Sequence, residues 1–258
     1  MDRTPITLKT PEQEELDRKL AELASIEAEL AQRELDLATQ GAELEAFERL
    51  YIRIVGVKYA ELDRLLAGIE ELMAKQRPGD PETERRAEEA RERARQSEQA
   101  TAGAVGPAER ERFQPSEELK RLYREVARRV HPDLAADPQE KERRNRVMAQ
   151  VNRAYAEGDI DWLRRLLKEW ETSPEAIAGE GVAERLVRAI RKIHQARARL
   201  EEIRQELEEL KTSDLAKLRE AVRDAERQGH DLLDEMARSI DEQIVAAKRR
   251  LPETGGTV

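Results

Sequence analysis

The sequence contains no cysteine, which excludes disulfides, thiolate nucleophiles and cysteine-held zinc. Aromatic residues make up only 3% of the 258 residues, and that scarcity argues against a single large core, because aromatic side chains supply much of the area such a core buries. No run approaches the ~20 apolar residues needed to span a bilayer. The opening stretch MDRTPITLKTPEQEELD lacks the apolar segment of a secretory leader. A cytoplasmic protein without a membrane partner is the simplest reading. Positive charge is short as well: the net charge of −9 opposes general binding to nucleic acid. What is abundant is charge itself, at 40% of residues, together with many Ala, Glu, Leu and Arg. That mixture is the signature of long helices and coiled coils. The expected fold class is therefore all-α, elongated, with several small cores.

Residues 1–10 are expected to be disordered, and a helical pattern starts after Pro11, where Glu12, Glu14 and Glu15 suit the positive end of a helix. Leu16, Leu23, Leu30, Leu37 and Leu44 recur every seven residues, Tyr51 continues the series, and Leu20, Ile26 and Phe47 broaden the stripe. This is a coiled-coil pattern, continued by Ile54, Leu62, Leu65, Leu66, Ile69, Leu72 and Met73. Residues 11–76 read either as helices folding back near Gly41 or Gly56, or as continuous helices pairing between two chains. Residues 77–110 have almost no large apolar side chains between Glu82 and Gln99 and read as a charged linker. A central module spans 111–172 and a short linker 173–181. Over 182–251 two further stripes follow, from Leu186 to Leu210 and from Leu215 to Ile244, with Thr212, Ser213 and Asp214 between them. They read as an antiparallel helical hairpin, followed by a disordered tail at 252–258.

The central module carries the information. Ser116 suits a helix N-cap, and Leu119, Leu122, Tyr123, Val126, Ala127 and Val130 share one face of the helix that follows. Lys120, Arg121, Arg124 and Arg128 occupy the other, with Arg129 nearby. These five basic residues against Glu125 leave a local charge of +4 in an acidic chain. Pro132 must end the helix, since it lacks an amide donor and disfavours helical geometry in the residue before it. An exposed loop, HPDLAADPQ, is expected next, then a helix from about Glu140 with Val147, Met148, Val151, Ala154 and Tyr155 as its buried face.

The segment 116–159 resembles the J domain of DnaJ-type co-chaperones, whose hallmark is a His-Pro-Asp loop between two antiparallel helices. LYREVARRVHPD is similar to the family's second helix, and VMAQVNRAYAEGD to its third. The family's short first helix is not evident: GPAERERFQPS stands in its place, with Phe113 available to pack. Glu125 and Leu134 stand where basic residues are usual. GDIDWLRRLLKEW adds an amphipathic helix whose Ile160, Leu163, Leu166, Leu167 and Trp170 suit the place of the missing one.

The resemblance implies a DnaK-class ATP-dependent chaperone as partner, stimulated in its ATPase by contacts from His131, Pro132, Asp133, Lys120, Arg121, Arg124 and Arg128. Chemistry then stays on the partner, so this chain is expected to be no enzyme and to hold no cofactor or metal; His194 and His230 are isolated on their helices. The coiled-coil arms would recruit an unidentified client or assemble the protein as a homo-oligomer. The rival expectation is a coiled-coil scaffold whose J-like module engages no chaperone. A nucleic-acid reading through Arg143, Arg144, Arg146 and Arg153 runs against the acidity of the chain.

Overall fold

The structure is a computed structural model and describes residues 9–103, 113–135, 138–171 and 181–255. It is all-α, with no strand among those residues. Helix α1 (Pro11–Tyr51) passes through a π-helical turn (Ile52–Gly56) into α2 (Val57–Gln76) and, after a turn, α3 (Pro81–Thr101). Helix α4 (Glu117–Val130), a 3-10 turn (Pro132–Leu134), α5 (Pro138–Glu157) and α6 (Ile160–Glu171) follow. The chain ends in α7 (Val182–Thr212), α8 (Asp214–Arg227) and α9 (Leu232–Gly255). The expectations for residues 1–8, the linker at 173–180 and the last three residues lie outside the described residues, whereas helix α9 extends past Pro252, where a disordered tail was expected.

The chain forms two compact units, Met1–Ala42 with Phe113–Thr212 and Glu43–Arg112 with Ser213–Val258. Two sequence expectations change here. Neither Gly41 nor Gly56 folds the chain back, since both lie within the helical run and Gly56 has φ −59°. The reversal comes at Gly79, whose φ of +82° only glycine adopts without strain. And the stripes of residues 182–251 divide between the two units. Ile193, Ala196, Ile203 and Leu207 of α7 bury against Leu23, Ile26 and Leu30 of α1. Val222, Leu233, Ile240 and Ile244 of α8 and α9 bury against Leu62 and Ile69 of α2 in the second unit. Ser213 parts the stripes by capping α8, its Oγ accepting from Ala216 N at 3.2 Å.

The charged segment 77–110 is corrected too. Asp80 caps α3 by accepting from Glu82 N at 3.1 Å, with Pro81 in the first turn. Ala87, Ala90 and Ala94 are buried on one face of α3, the last two packed with Ala67 of α2. A stripe of methyl groups lets two helix backbones approach closely, so this helix needs no large side chain to hold its place. Ion pairs flank the seam, such as Arg91 Nε with Glu71 Oε1 at 2.9 Å. Ala90→Leu should therefore push α2 and α3 apart and cost about 1–3 kcal/mol by overpacking. A denaturation midpoint identical to wild type would refute this account of the seam.

In the first unit, α4 and α5 lie antiparallel. Tyr123 pairs with Asn152, and the backbone carbonyls of Arg129 and His131 with Arg144, so contacts move back along α5 as they move forward along α4. Tyr123, Val126, Val130, Val151, Tyr155 and Leu163 form the middle of the core. Phe113 meets the Tyr155 ring edge-on at 5.4 Å, and Ile160, Leu166, Leu167 and Trp170 of α6 pack on the same cluster. The amphipathic helix after Gly158 thus covers the core as its pattern predicts. Helix α1 covers it as well, through Ala31, Leu35 and Ala38.

Candidate functional site

Ser116 starts α4 with its Oγ accepting from Leu119 N at 3.1 Å, and Pro132 stops it. The chain leaves the helix at His131 with φ −55° and ψ 130°, and Pro132–Leu134 form a single 3-10 turn. This brings His131, Pro132 and Asp133 together at the end of the α4–α5 pair. The turn is held from inside: His131 Nδ1 accepts from Asp133 N at 3.2 Å. With Nδ1 occupied as an acceptor, Nε2 carries the ring proton and donates to Glu34 Oε1 of α1 at 2.9 Å.

The expected exposed loop is where the structure departs most from the sequence reading. His131 is only 2% exposed and Leu134 6%, while residues 136–137 lie outside the described residues. The turn packs against α7, a neighbour that no local pattern in the sequence points to. Arg199 of α7 donates from Nε to the same Glu34 Oε1 at 2.9 Å and from Nη1 to Glu206 at 2.6 Å. Tyr123 completes the set, its hydroxyl donating to Asn152 Oδ1 at 2.8 Å and lying 3.4 Å from the backbone carbonyl of Glu34.

Burial works against ionisation of Glu34, yet the hydrogen bond from His131 and the charge of Arg199 outweigh it and hold the carboxyl below its ordinary range. Burial likewise opposes the charge of Arg199, but Glu34 and Glu206 reverse the effect and raise its pKa. Burial drives the Tyr123 phenol far upward, with the Glu34 carboxylate adding to it. Glu34 is thus an anion held in the interior by a histidine, an arginine and two helices. Such a group is tolerated only when paired.

The remaining predicted residues divide. Asp133 has a side chain 15% exposed and accepts at Oδ1 from Lys141 Nζ of α5 at 2.9 Å. Lys120 pairs with Glu117 at 2.8 Å. Arg124 reaches Gln32 Oε1 of α1 at 3.3 Å. Arg121 and Arg128 are exposed. Burial raises the pKa of Glu27 on α1, with Lys192 and Arg128 opposing it, which places Arg128 in the field of the same helix. The basic stripe therefore meets α1 along part of its length. Arg144 braces the turn from α5, donating to the carbonyls of Arg129 and His131 at 3.3 and 3.4 Å, while its guanidinium stands 5.5 Å over the Trp170 ring.

Sequence reasoning missed Glu34, Arg199 and Lys141. A signal for Glu34 was present: it stands four residues after Leu30 and three before Leu37, a seam position where an unpaired acid is costly. Arg199 gave none, being one of many arginines beside a leucine. Among the described residues no cluster of His, Asp or Glu side chains could hold a metal, and no helix is long and apolar enough to cross a membrane. Compared with protein-family models, curated proteins and solved structures, the chain matches none.

Proposed function

We propose that the chain is a J-domain-type co-chaperone that docks on a DnaK-class ATP-dependent chaperone and stimulates its ATPase, with its helical arms engaging a client or a second copy. The observation that supports this reading is the antiparallel α4–α5 pair ending on His131-Pro132-Asp133, with Arg121 and Arg128 exposed beside it. Exposed cations on α4 steer the module towards an acidic surface and raise the association rate more than the affinity. Asp133, fixed by Pro132, is the anion that would pair with a cation of the partner, in exchange for its present contact with Lys141. It shifts the partner only as far as it binds one conformation better than the other.

A second reading has its own observation. His131 is buried on Glu34, as it would be in a scaffold that keeps the J-like module as a packing unit. Single-turnover ATP hydrolysis by the host's DnaK-class chaperone separates the two. Under the co-chaperone reading the wild type accelerates hydrolysis and Asp133→Asn does not. No acceleration by the wild type, nor by a variant in which the turn is freed, leaves the scaffold.

A further inference from the structure

Two helices far apart in sequence converge on the His-Pro-Asp turn. Glu34 of α1 binds His131, Arg199 of α7 binds Glu34, and α7 itself packs on Pro132–Leu134. The same helix α1 places Gln32 on Arg124 and Glu27 in the field of Arg128. Helices α1 and α7 therefore occupy the surface that a docking partner would need. Nothing in the α4–α6 core demands Glu34 as an acid: the core is apolar, and Tyr123 touches only the backbone of that residue. A buried carboxylate serves here to join helices.

The seam that carries this carboxylate is modest. It buries Leu23, Ile26 and Leu30 against four residues of α7, one of them Ala196, with Leu37 and Leu200 partly buried beside them. At its edge Arg197 pairs with Glu22 at 2.7 Å, and both side chains are largely or partly open to solvent. Towards its start α7 leaves Val187 49% and Ile190 46% exposed. A helix held by a short apolar seam and two ion pairs to α1, with apolar side chains open to solvent near its start, is suited to local opening.

We infer that α1 and α7 form an intramolecular latch over the His-Pro-Asp turn, closed by the Glu34 bridge between His131 and Arg199, and that the turn becomes accessible when this latch opens. Its use as a brake on chaperone docking rests on the co-chaperone reading. A partner that binds the open form more tightly releases the turn in proportion to its differential affinity. Seating α7 on the turn and presenting the turn to a chaperone are then mutually exclusive.

The chain supplies its own controls, because it has just 3 histidines and the other two, His194 and His230, are exposed. Labelling of the full-length protein with diethyl pyrocarbonate, read residue by residue by mass spectrometry, should find His131 slower than the other two by about 100-fold, the protection expected of a locally closed segment. Glu34→Ala should raise the His131 rate by roughly 30- to 100-fold, since a charged hydrogen bond is lost, and leave His194 and His230 unchanged. Arg199→Gln should act in the same direction and less strongly; it decides the matter if Glu34→Ala loses helicity. The latch is overturned if wild-type His131 labels as fast as the other two, or stays protected in variants that keep wild-type helicity. Each variant also enters the single-turnover ATPase assay. A freed His131 with greater ATPase stimulation than wild type supports the latch as a brake, whereas a freed His131 with no stimulation supports the latch and overturns the co-chaperone reading.

Discussion

Tyr155→Ala should unfold the α4–α6 core at a cost of about 3–5 kcal/mol, the range for removing a large buried aromatic side chain. Tyr155 is fully buried, and its ring stands 4.8 Å from Tyr123 and 5.4 Å from Phe113. Trp162 and Trp170 pack on the same cluster only partly buried, so neither fills the centre that the Tyr155 ring occupies. The hydroxyl adds a specific tie, a 2.7 Å hydrogen bond to Thr39 that joins α5 to α1. Tyr155→Phe keeps the ring, removes that bond and should cost about 1 kcal/mol. Since whole domains are stable by ~5–15 kcal/mol, the alanine variant should lose a large part of the first unit's cooperative transition in a urea melt. Equal midpoints for the alanine and phenylalanine variants would show that the ring is not central to the core.

How much of this was legible in the sequence differs from element to element. The limits of α4 were, because Ser116 and Pro132 act locally: a side-chain oxygen caps one end and a missing amide closes the other. The face of α6 was legible as well, since its apolar spacing leaves few choices in a short helix. Helix α3 was not, because Ala87, Ala90 and Ala94 carry too little apolar area to register as a stripe, although methyl groups suffice once two backbones come close. Partner choice was the hardest. The leucines of α7 and those of α8 and α9 are equally apolar, and a leucine stripe does not encode which other stripe it meets. Sequence proximity suggested a hairpin, whereas the fold pairs α7 with α1 and α9 with α2. The burial of His131 follows from that pairing, and for that reason a local reading of the His-Pro-Asp loop placed it on the surface.

Glu34→Gln tests the ionic knot by its pH dependence. The side chain keeps its shape and an acceptor for His131 Nε2 but loses the charge that Arg199 neutralises. At neutral pH the variant should be less stable by about 2–3 kcal/mol, the loss of hydrogen bonds to a charged group. The folded protein holds the Glu34 carboxyl below its ordinary value, so its contribution is present in full above the unfolded-state value of about 4.3 and is lost as pH falls through the lower, folded one. Glutamine has nothing to protonate. The stability gap between wild type and variant should therefore be constant from about pH 7 to 5 and close as the pH drops through the acid range below about 4. Glu34 faces His131 from the end of α4, Arg199 from α7 and the Tyr123 hydroxyl at its carbonyl, while Glu202 and Glu206 share Arg199. All of these are present in both proteins, so the difference between two urea titrations isolates Glu34. A gap that stays constant down to about pH 3 would mean that the carboxyl binds its proton equally well in the folded and unfolded states, and that His131 and Arg199 do not favour its ionised form.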